Sequence, residues 1–477
     1  MPAPTLRLGD ARPLDGKGPR QPHELPAHHL VTHGVVVGMT GSGKTGLLMV
    51  MAEEAMAAGI PLLAIDVKGD LPNLLLAFPT FAASAFDPWA ASGMAPDDLR
   101  PPAEVAAELA RKRQEGLTKH GIDEAVLRRF HAATDVRVLT PGSTGGEPLH
   151  VLSSLERRSP RWDTDPESAQ ASLSAAVSLV LRLVGRDADP ARSREHVLLS
   201  VLAERRLRAG QDADLASLLR DLNEPPIDEI GVLPLDTFLS KNDRRSLSAA
   251  LNNLLASPTF ASWRQGATLD VGAWLEPPQT PGLPRRTSAV IISVAHLDDE
   301  ERALVLGVVL EEIVAWVRSL PGTSRLRALV VFDEVYGYLP PHPANPPTKR
   351  PLVALMKQAR AFGVGVVVAT QNPMDLDYRA LSNAGAWCIG RLQTDADRER
   401  VVDGLSGSAG SGRGADRALE QTISKLAQRW FVLRNVHVEG PPVLLNPRWA
   451  MSYLRGPMTR VELAAALATR RAALVGP

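Results

Sequence analysis

The eight residues GMTGSGKT, 38–45, restrict the fold more than any other part of this chain. They satisfy G-x-x-x-x-G-K-[ST], after a short apolar strand pattern (34–37) and before a helical one (44–58), the context this motif requires. Glycines there let backbone N–H groups curl around phosphate oxygens, and the helix N-terminus adds positive potential. Gly38, Met39, Thr40, Gly41, Ser42, Gly43, Lys44, Thr45 and Gly46 are therefore the candidate nucleotide-binding residues. Lys44 is placed to reach the β- and γ-phosphates and Thr45 to ligate Mg²⁺, which makes ATP and Mg²⁺ the expected cofactors.

A strand–loop–helix unit of this kind needs a sheet around it, and the sequence supplies one. Apolar runs recur at 35–38, 61–66, 136–140, 289–295, 327–334, 363–370, 386–390 and 429–433. They are rich in Val and Ile, and several lack alternation, as strands covered on both faces do. Helical stretches separate most of them, which predicts an α/β fold with a mostly parallel sheet. Residues 31–87, 136–156 and 286–446 are assigned to this core. The Ala-, Leu-, Arg- and Glu-rich segments 88–135 and 157–285 are assigned as helical insertions. Residues 1–30 are read as an irregular arm, 407–415 as a flexible loop and 447–477 as a C-terminal extension. Composition excludes little: 53 basic residues balance 53 acidic ones, so any DNA contact needs a local patch or a ring of subunits. The single cysteine, Cys388, excludes an internal disulfide and a cysteine-based zinc site and fits a reducing cytosol. The N-terminus has no apolar signal region, and no apolar run approaches the ~18 residues needed to span a bilayer. The longest candidate, 47–65, is interrupted by Glu53 and Glu54. A cytoplasmic protein with no membrane contact is expected.

Three further stretches carry chemistry. RALVVFDE (327–334) is a buried strand ending in two carboxylates. Asp333 is assigned to hold the magnesium through water, and Glu334 to orient or deprotonate the attacking water. A small-molecule kinase must exclude water and has no use for that second carboxylate, and no N-K-x-D guanine-reading motif is found. Gln371 ends the next strand, where an amide can sense a γ-phosphate and pass the difference to the loop 372–383; a bond to turn backbone is its simpler role. Asp66 and Lys68, in AIDVKGDL (64–71), suit either a supporting magnesium role or an ordinary strand-end turn.

Together, GMTGSGKT, IDVKGDLPNL, VFDEVYGYLPP, KQARAFGVGVVVATQNPMDLDYRALSNAG and WCIGRLQTDADRERV resemble the HerA/FtsK branch of P-loop ATPases, and bacterial HerA-like ATP-binding proteins in particular. The likeness covers 31–85, 136–156 and 288–457. It implies a RecA-like core in a hexameric ring that hydrolyses ATP and pumps DNA, often beside a nuclease or another effector, in DNA processing or defence. Archaeal members carry a β-barrel of roughly a hundred residues before the P-loop. Here the P-loop begins at Gly38, so that barrel and docking through it are not expected. In such rings the nucleotide sits between subunits, so Arg360 is the candidate arginine finger; capping its own helix is the alternative. Arg398 and Arg400 are rival fingers. Lys349, Arg350 and Arg379 are candidate DNA contacts, with Arg244 and Arg245 behind them. The other reading is a nucleotide-gated ring that organises an effector with little DNA pumping.

Overall fold

Each central strand feeds two cores, which is why its apolar residues run without polar interruption. The computed structural model describes residues 4–91, 94, 97–277, 284–381, 384–406 and 413–475. Its strands are β1 (Thr5–Pro13), β2 (Gln21–Pro26), β3 (Gly34–Val37), β4 (Leu62–Asp66), β5 (Thr134–Pro141), β6 (Glu147–His150), β7 (Glu229–Ile230), β8 (Leu233–Pro234), β9 (Ala267–Thr268), β10 (Thr287–Ser293), β11 (Ala328–Asp333), β12 (Val364–Thr370), β13 (Ala386–Ile389), β14 (Phe431–Asn435) and β15 (Val443–Pro447). Thirteen of them form one sheet, in the order β2-β1-β15-β14-β13-β3-β12-β11-β4-β10-β5-β6-β9. From β13 to β9 neighbouring strands are parallel. From β13 through β14, β15 and β1 to β2 they are antiparallel. The mostly parallel α/β fold expected from the apolar runs is the fold observed.

Residue alternation sorts the two cores. Val35, Val37, Leu63, Ile65, Val330 and Phe332 point to one face, where they meet the helices Pro166–Leu183 and Asp299–Ser319. Val36, Leu62, Ala64, Leu329 and Val331 point to the other, against the P-loop helix Lys44–Ala57. A strand with both faces covered has no place for a polar side chain, so the polar residues of β3, β4, β11 and β12 are displaced to their ends. Those ends form the site.

The segment read as an irregular arm is instead the hairpin β1–β2, paired to β15 at the antiparallel edge. Its Pro, Gly and charged residues hide a strand pattern whose wholly buried side chains are Leu6, Leu8 and Leu25. β2, the outermost strand of the sheet, accepts Pro22 and Pro26 because an edge strand has N–H groups that face away from the ladder. The helical insertions contain the helices Pro102–Thr118, Glu124–Ala133, Pro166–Leu183, Arg194–Arg208, Leu215–Asn223 and Lys241–Ala256. The second insertion also sends the two-residue strand β9 to the far edge of the sheet. Of the loop read at 407–415, residues 407–412 lie outside the described residues, and Arg413 opens the helix Arg413–Lys425. The C-terminal segment ends in the helix Arg460–Val475. No described helix is long and apolar enough to cross a membrane.

Candidate active site

Parallel strands put all their C-terminal ends on one edge of the sheet, and ligands bind there in open α/β folds. The loop after β3 is GMTGSGKT, with Gly38 at φ 159°, Gly41 at φ 78° and Gly43 at φ 99°. The last two lie in the left-handed region, which a side chain would strain. The backbone N–H of Met39 donates to the carbonyl of Arg391 at 2.8 Å, and that of Arg429 donates to the carbonyl of Ser42 at 3.0 Å. The loop is thus held from outside by the segments just after β13 and just before β14.

Lys44 lies along the inside of this loop, donating from Nζ to the carbonyls of Gly38 at 2.6 Å and Met39 at 3.2 Å. Burial pushes its ammonium down to about 8, against the pull of Glu334 and Asp333. β11 places Asp333 beside Asp66 of β4 in register. Burial first, and then the charges of Asp66 and Glu334, push Asp333 up to about 7. A cation at this carboxylate would relieve both causes.

Glu334 occupies a left-handed conformation, φ 60°, which costs a non-glycine residue energy and is found where function dictates direction. Its Oε2 accepts from Lys68 Nζ at 2.6 Å and from Gln371 Nε2 at 2.8 Å. Burial pushes Glu334 upward, but these two bonds and the Lys68 charge outweigh it and hold the carboxylate below its ordinary value. Gln371 also accepts from Thr40 Oγ1, so one amide links the P-loop to the second carboxylate. That is more than a turn-backbone bond.

Asp66 is used differently. It is wholly buried, its Oδ1 accepts from the N–H groups of Gly69, Asp70 and Leu71, and its Oδ2 accepts from Ser293 Oγ at 2.8 Å. Of the two roles open from sequence, this is the strand-end turn. Burial pushes its carboxyl up to about 6 despite those bonds.

The other candidates separate. Arg360 is exposed, in the short helix Ala359–Phe362 at the opposite end of β12 from Gln371. Its charge falls on His33 and His437, and its side chain has no ion pair among the described residues. The seven-residue strand between Arg360 and Gln371 spans roughly 23 Å, so Arg360 does not reach its own P-loop. Arg398 folds back on its own helix start, bonding the carbonyls of Leu392 and Gln393 and the carboxylate of Asp395. Arg400 is exposed. Lys349 is turned inward, to the carbonyl of Ala344 at 3.1 Å and to Asp377 at 3.5 Å, with its side chain 12% exposed. A lysine so placed is not free to meet a DNA phosphate, which corrects the expectation for it. Arg350 is exposed; Arg379 lies in the short helix Tyr378–Leu381, and its side chain lies outside the described residues. Arg244 is buried on Asp236 and the carbonyl of Leu239, a structural position that removes it from the DNA candidates, while Arg245 is exposed.

Two parts of the site have no sequence signal. One is the Lys68–Glu334 bond, between residues far apart in the chain. The other is Arg429, which sits at φ 62° against Gly43 and donates to the carbonyls of Pro447 and Arg448, both at 3.1 Å. In sequence it is one more residue before the β14 run.

The residues present fit a nucleoside triphosphate with a divalent cation. The P-loop has its glycine cradle, the buried Ser42 hydroxyl has no partner, and a hydroxyl (Thr45) and a carboxylate (Asp333) suit a hard cation. No cluster of three His, Cys, Asp or Glu residues suited to a metal occurs among the described residues.

Residues 14–80 match the family model of the HerA-like helicase C-terminal domain. Comparison with curated proteins finds no significant match. Among solved structures, VirB4 of Thermoanaerobacter pseudethanolicus superposes with a TM-score of 0.51 at 12% identity, over 93% of this chain and 96% of that one. The bacterial plasmid coupling protein TrwB, in complex with the GTP analogue GDPNP, gives 0.48 at 15% identity, over 91% and 90%. TrwB with ADP and Mg²⁺ gives 0.46 at 15% identity, over 91% of each chain.

Proposed function

We propose that this chain, whose resemblance to HerA/FtsK-superfamily P-loop ATPases is borne out by the family model and by the fold, is an ATP-hydrolysing motor that works as a ring of identical subunits on DNA. The observation that carries the hydrolytic part is one linked group: Lys44, Asp333, Glu334 and Gln371 meet at one edge of the sheet, and Gln371 bonds both Thr40 and Glu334. Lys44 supplies a fixed positive charge to the phosphates, beside the helix N-terminus. Glu334, kept ionised by Lys68 and Gln371, accepts the proton of a water attacking the terminal phosphate. Mg²⁺, held by Thr45 and through water by Asp333, would neutralise charge on the phosphate oxygens. Gln371 reports the terminal phosphate to the segment that follows β12.

The placement of Arg360 supports the ring. It is too far to serve its own site, and it is exposed on the opposite edge, where a neighbour's site could receive it. An arginine supplied in trans stabilises charge on the phosphoryl oxygens and is worth about 10³–10⁵ in rate in other P-loop enzymes. DNA as the moved polymer, hexameric stoichiometry, a nuclease or other effector partner and a cytoplasmic location rest on the HerA/FtsK resemblance of the motifs.

One set of assays tests this reading. Purified protein should release free phosphate from ATP, faster with DNA present. Binding to duplex should weaken with salt at a log–log slope of about −0.9 per phosphate neutralised, and replacing Arg350 and Arg379 should flatten it. A Lys44→Ala subunit has a dead site and an intact arginine; an Arg360→Ala subunit has the reverse. Mixing the two inactive proteins while subunits exchange should restore part of the turnover. Exchange without any recovery would remove Arg360 as a finger in trans, and hydrolysis indifferent to DNA would favour a ring that organises an effector.

A further inference from the structure

Arg470 stands where a leucine would be expected. On the helix Arg460–Val475 the buried Leu463, Ala466 and Leu467 are followed, at the next step of the same face, by Arg470, itself 3% exposed. Its neighbour Arg471 is exposed and paired with Glu147, an ordinary place for an arginine. Nη2 of Arg470 donates to the carbonyls of His131 and Thr134, both at 3.1 Å, and to Thr134 Oγ1 at 2.8 Å. Those bonds tie the helix to the end of the helix Glu124–Ala133 and explain one side of the guanidinium. They leave the other side unexplained, because Nε and Nη1 are buried with no hydrogen-bond partner. Burial pushes this guanidinium down to about 10; the charge of Asp135 opposes the fall and that of Arg286 adds to it. Leucine would cover the same face without burying an unmet cation, which is costly.

The same arginine lines a cavity of about 380 Å³ between its helix and residues 75–89. Leu75, Phe78, Pro88 and Trp89 give the cavity apolar walls. Besides the Trp89 indole, its other polar lining is the hydroxyls of Thr80, Ser84 and Thr469 and the ring of His131. Among the described residues no Lys, Asp or Glu and no second Arg lines it. Burial, with the charges of Arg470 and Arg286, pushes His131 down to about 4, so that ring is neutral at neutral pH. The cavity thus has one fixed positive charge, unmet donors on the group that carries it, and no carboxylate in its lining. A mainly apolar hollow of a few hundred Å³ with a few placed polar groups is the form of a small-molecule site. We propose that this cavity binds a small organic monocarboxylate with an apolar body, its carboxylate accepting from Arg470 and its body packing on Phe78 and Trp89. A phosphate dianion would bring more charge than one guanidinium balances and would leave the apolar walls unused. The cavity shares no lining residue with the phosphate loop, so the proposal is independent of the nucleotide reading.

The test uses three probes, octanoate, phenylacetate and indole-3-acetate, each beside its neutral primary amide, with inorganic phosphate as the bare anion. Binding to the full chain is measured by calorimetry and by the shift of the thermal unfolding midpoint. At least one carboxylate should bind about tenfold or more tighter than its amide, as a hydrogen bond to a charged group allows, and tighter than phosphate. Arg470→Met should abolish the preference for carboxylate over amide, and Arg470→Lys should keep part of it. Thr469→Trp, at an exposed position of the same helix, fills the cavity without touching the guanidinium and should remove both carboxylate and amide. It keeps the proposal testable if Arg470→Met does not fold. Carboxylate and amide bound alike, phosphate bound as tightly as the carboxylates, or carboxylate binding that survives Thr469→Trp would each overturn the proposal. So would wild type that binds none of the three carboxylates, which would leave Arg470 as a tie between two helices.

Discussion

Removing Glu53 should loosen the join between the P-loop helix and the C-terminal segment. Glu53 is 0% exposed and Arg448 1% exposed. Glu53 Oε2 accepts from Arg448 Nη1 and from the N–H of Met451, both at 2.9 Å, and its Oε1 accepts from the N–H of Ser452 at 2.8 Å. Glu54 takes the rest of the guanidinium, from Nη2 at 2.7 Å and Nε at 3.1 Å. Glu53→Ala therefore leaves two buried backbone N–H groups without acceptors and an arginine with half its neutralising charge. Breaking a buried pair from one side costs about 3–5 kcal/mol. Glu53→Gln keeps one carbonyl acceptor, so its cost should be nearer the roughly 1–3 kcal/mol of a single unmet buried group. Against the usual 5–15 kcal/mol of total stability, the alanine variant is a severe lesion. Guanidinium denaturation followed by tryptophan fluorescence measures it as a midpoint shift at constant slope. Glu115→Ala, in the exposed pair with Arg111, is the control and should leave the midpoint unmoved. An alanine variant within about 1 kcal/mol of wild type would refute the reasoning.

Glu334→Gln should bind ATP and hydrolyse almost none of it, because only proton acceptance is lost; turnover at the wild-type rate would remove Glu334 as the base. Lys68→Met should move the acid limb of the pH–rate profile to higher pH, since the lysine that holds Glu334 below its ordinary value is gone; an unmoved limb would make the bond incidental. Asp66 is raised to about 6 in the folded chain, so its contribution to stability is full below the ordinary carboxylate value of about 3.8 and is lost as pH rises through 6. Asp66→Asn cannot titrate and keeps an acceptor for the three N–H groups. Relative to wild type, it should gain stability between pH 4 and pH 7, and a constant difference measured by thermal unfolding at each pH would contradict the shift.

What could be read from sequence was whatever is local. The P-loop is contiguous, Asp333 and Glu334 are the first polar residues after one apolar run, and Gln371 follows Thr370 directly after another. A strand buried on both faces pushes its polar residues to its end, so position in sequence becomes position in the site. Lys68 could be placed near the loop but not paired, because the bond to Glu334 depends on β4 and β11 lying side by side, and that adjacency is a property of the sheet. The β1–β2 hairpin was missed for a related reason. Its apolar face is narrow because β15 and Glu54 supply the rest of its setting, including a bond from the Arg7 N–H to Glu54 Oε2 at 2.9 Å.

Glu53 and Glu54 show where the limit lies. In sequence they break an apolar run and so argue against a membrane span, and nothing more can be taken from them. In the fold they lie in the same helix as Lys44, on the turns behind the phosphate loop. Through Arg448 and the backbone of Met451 and Ser452 they hold the segment that carries Trp449 and Leu454. Arg429 closes the circuit, bonding by its backbone to Ser42 and by its guanidinium to the carbonyls of Pro447 and Arg448. The phosphate loop, the helix behind it and the C-terminal segment are therefore one connected unit. A lesion at Glu53 should then appear in ATP binding as well as in stability, because the segment that Arg429 ties to Ser42 loses its anchor on the helix. ATP affinity unchanged in a folded Glu53→Gln variant would mean that the buried pair supports stability alone.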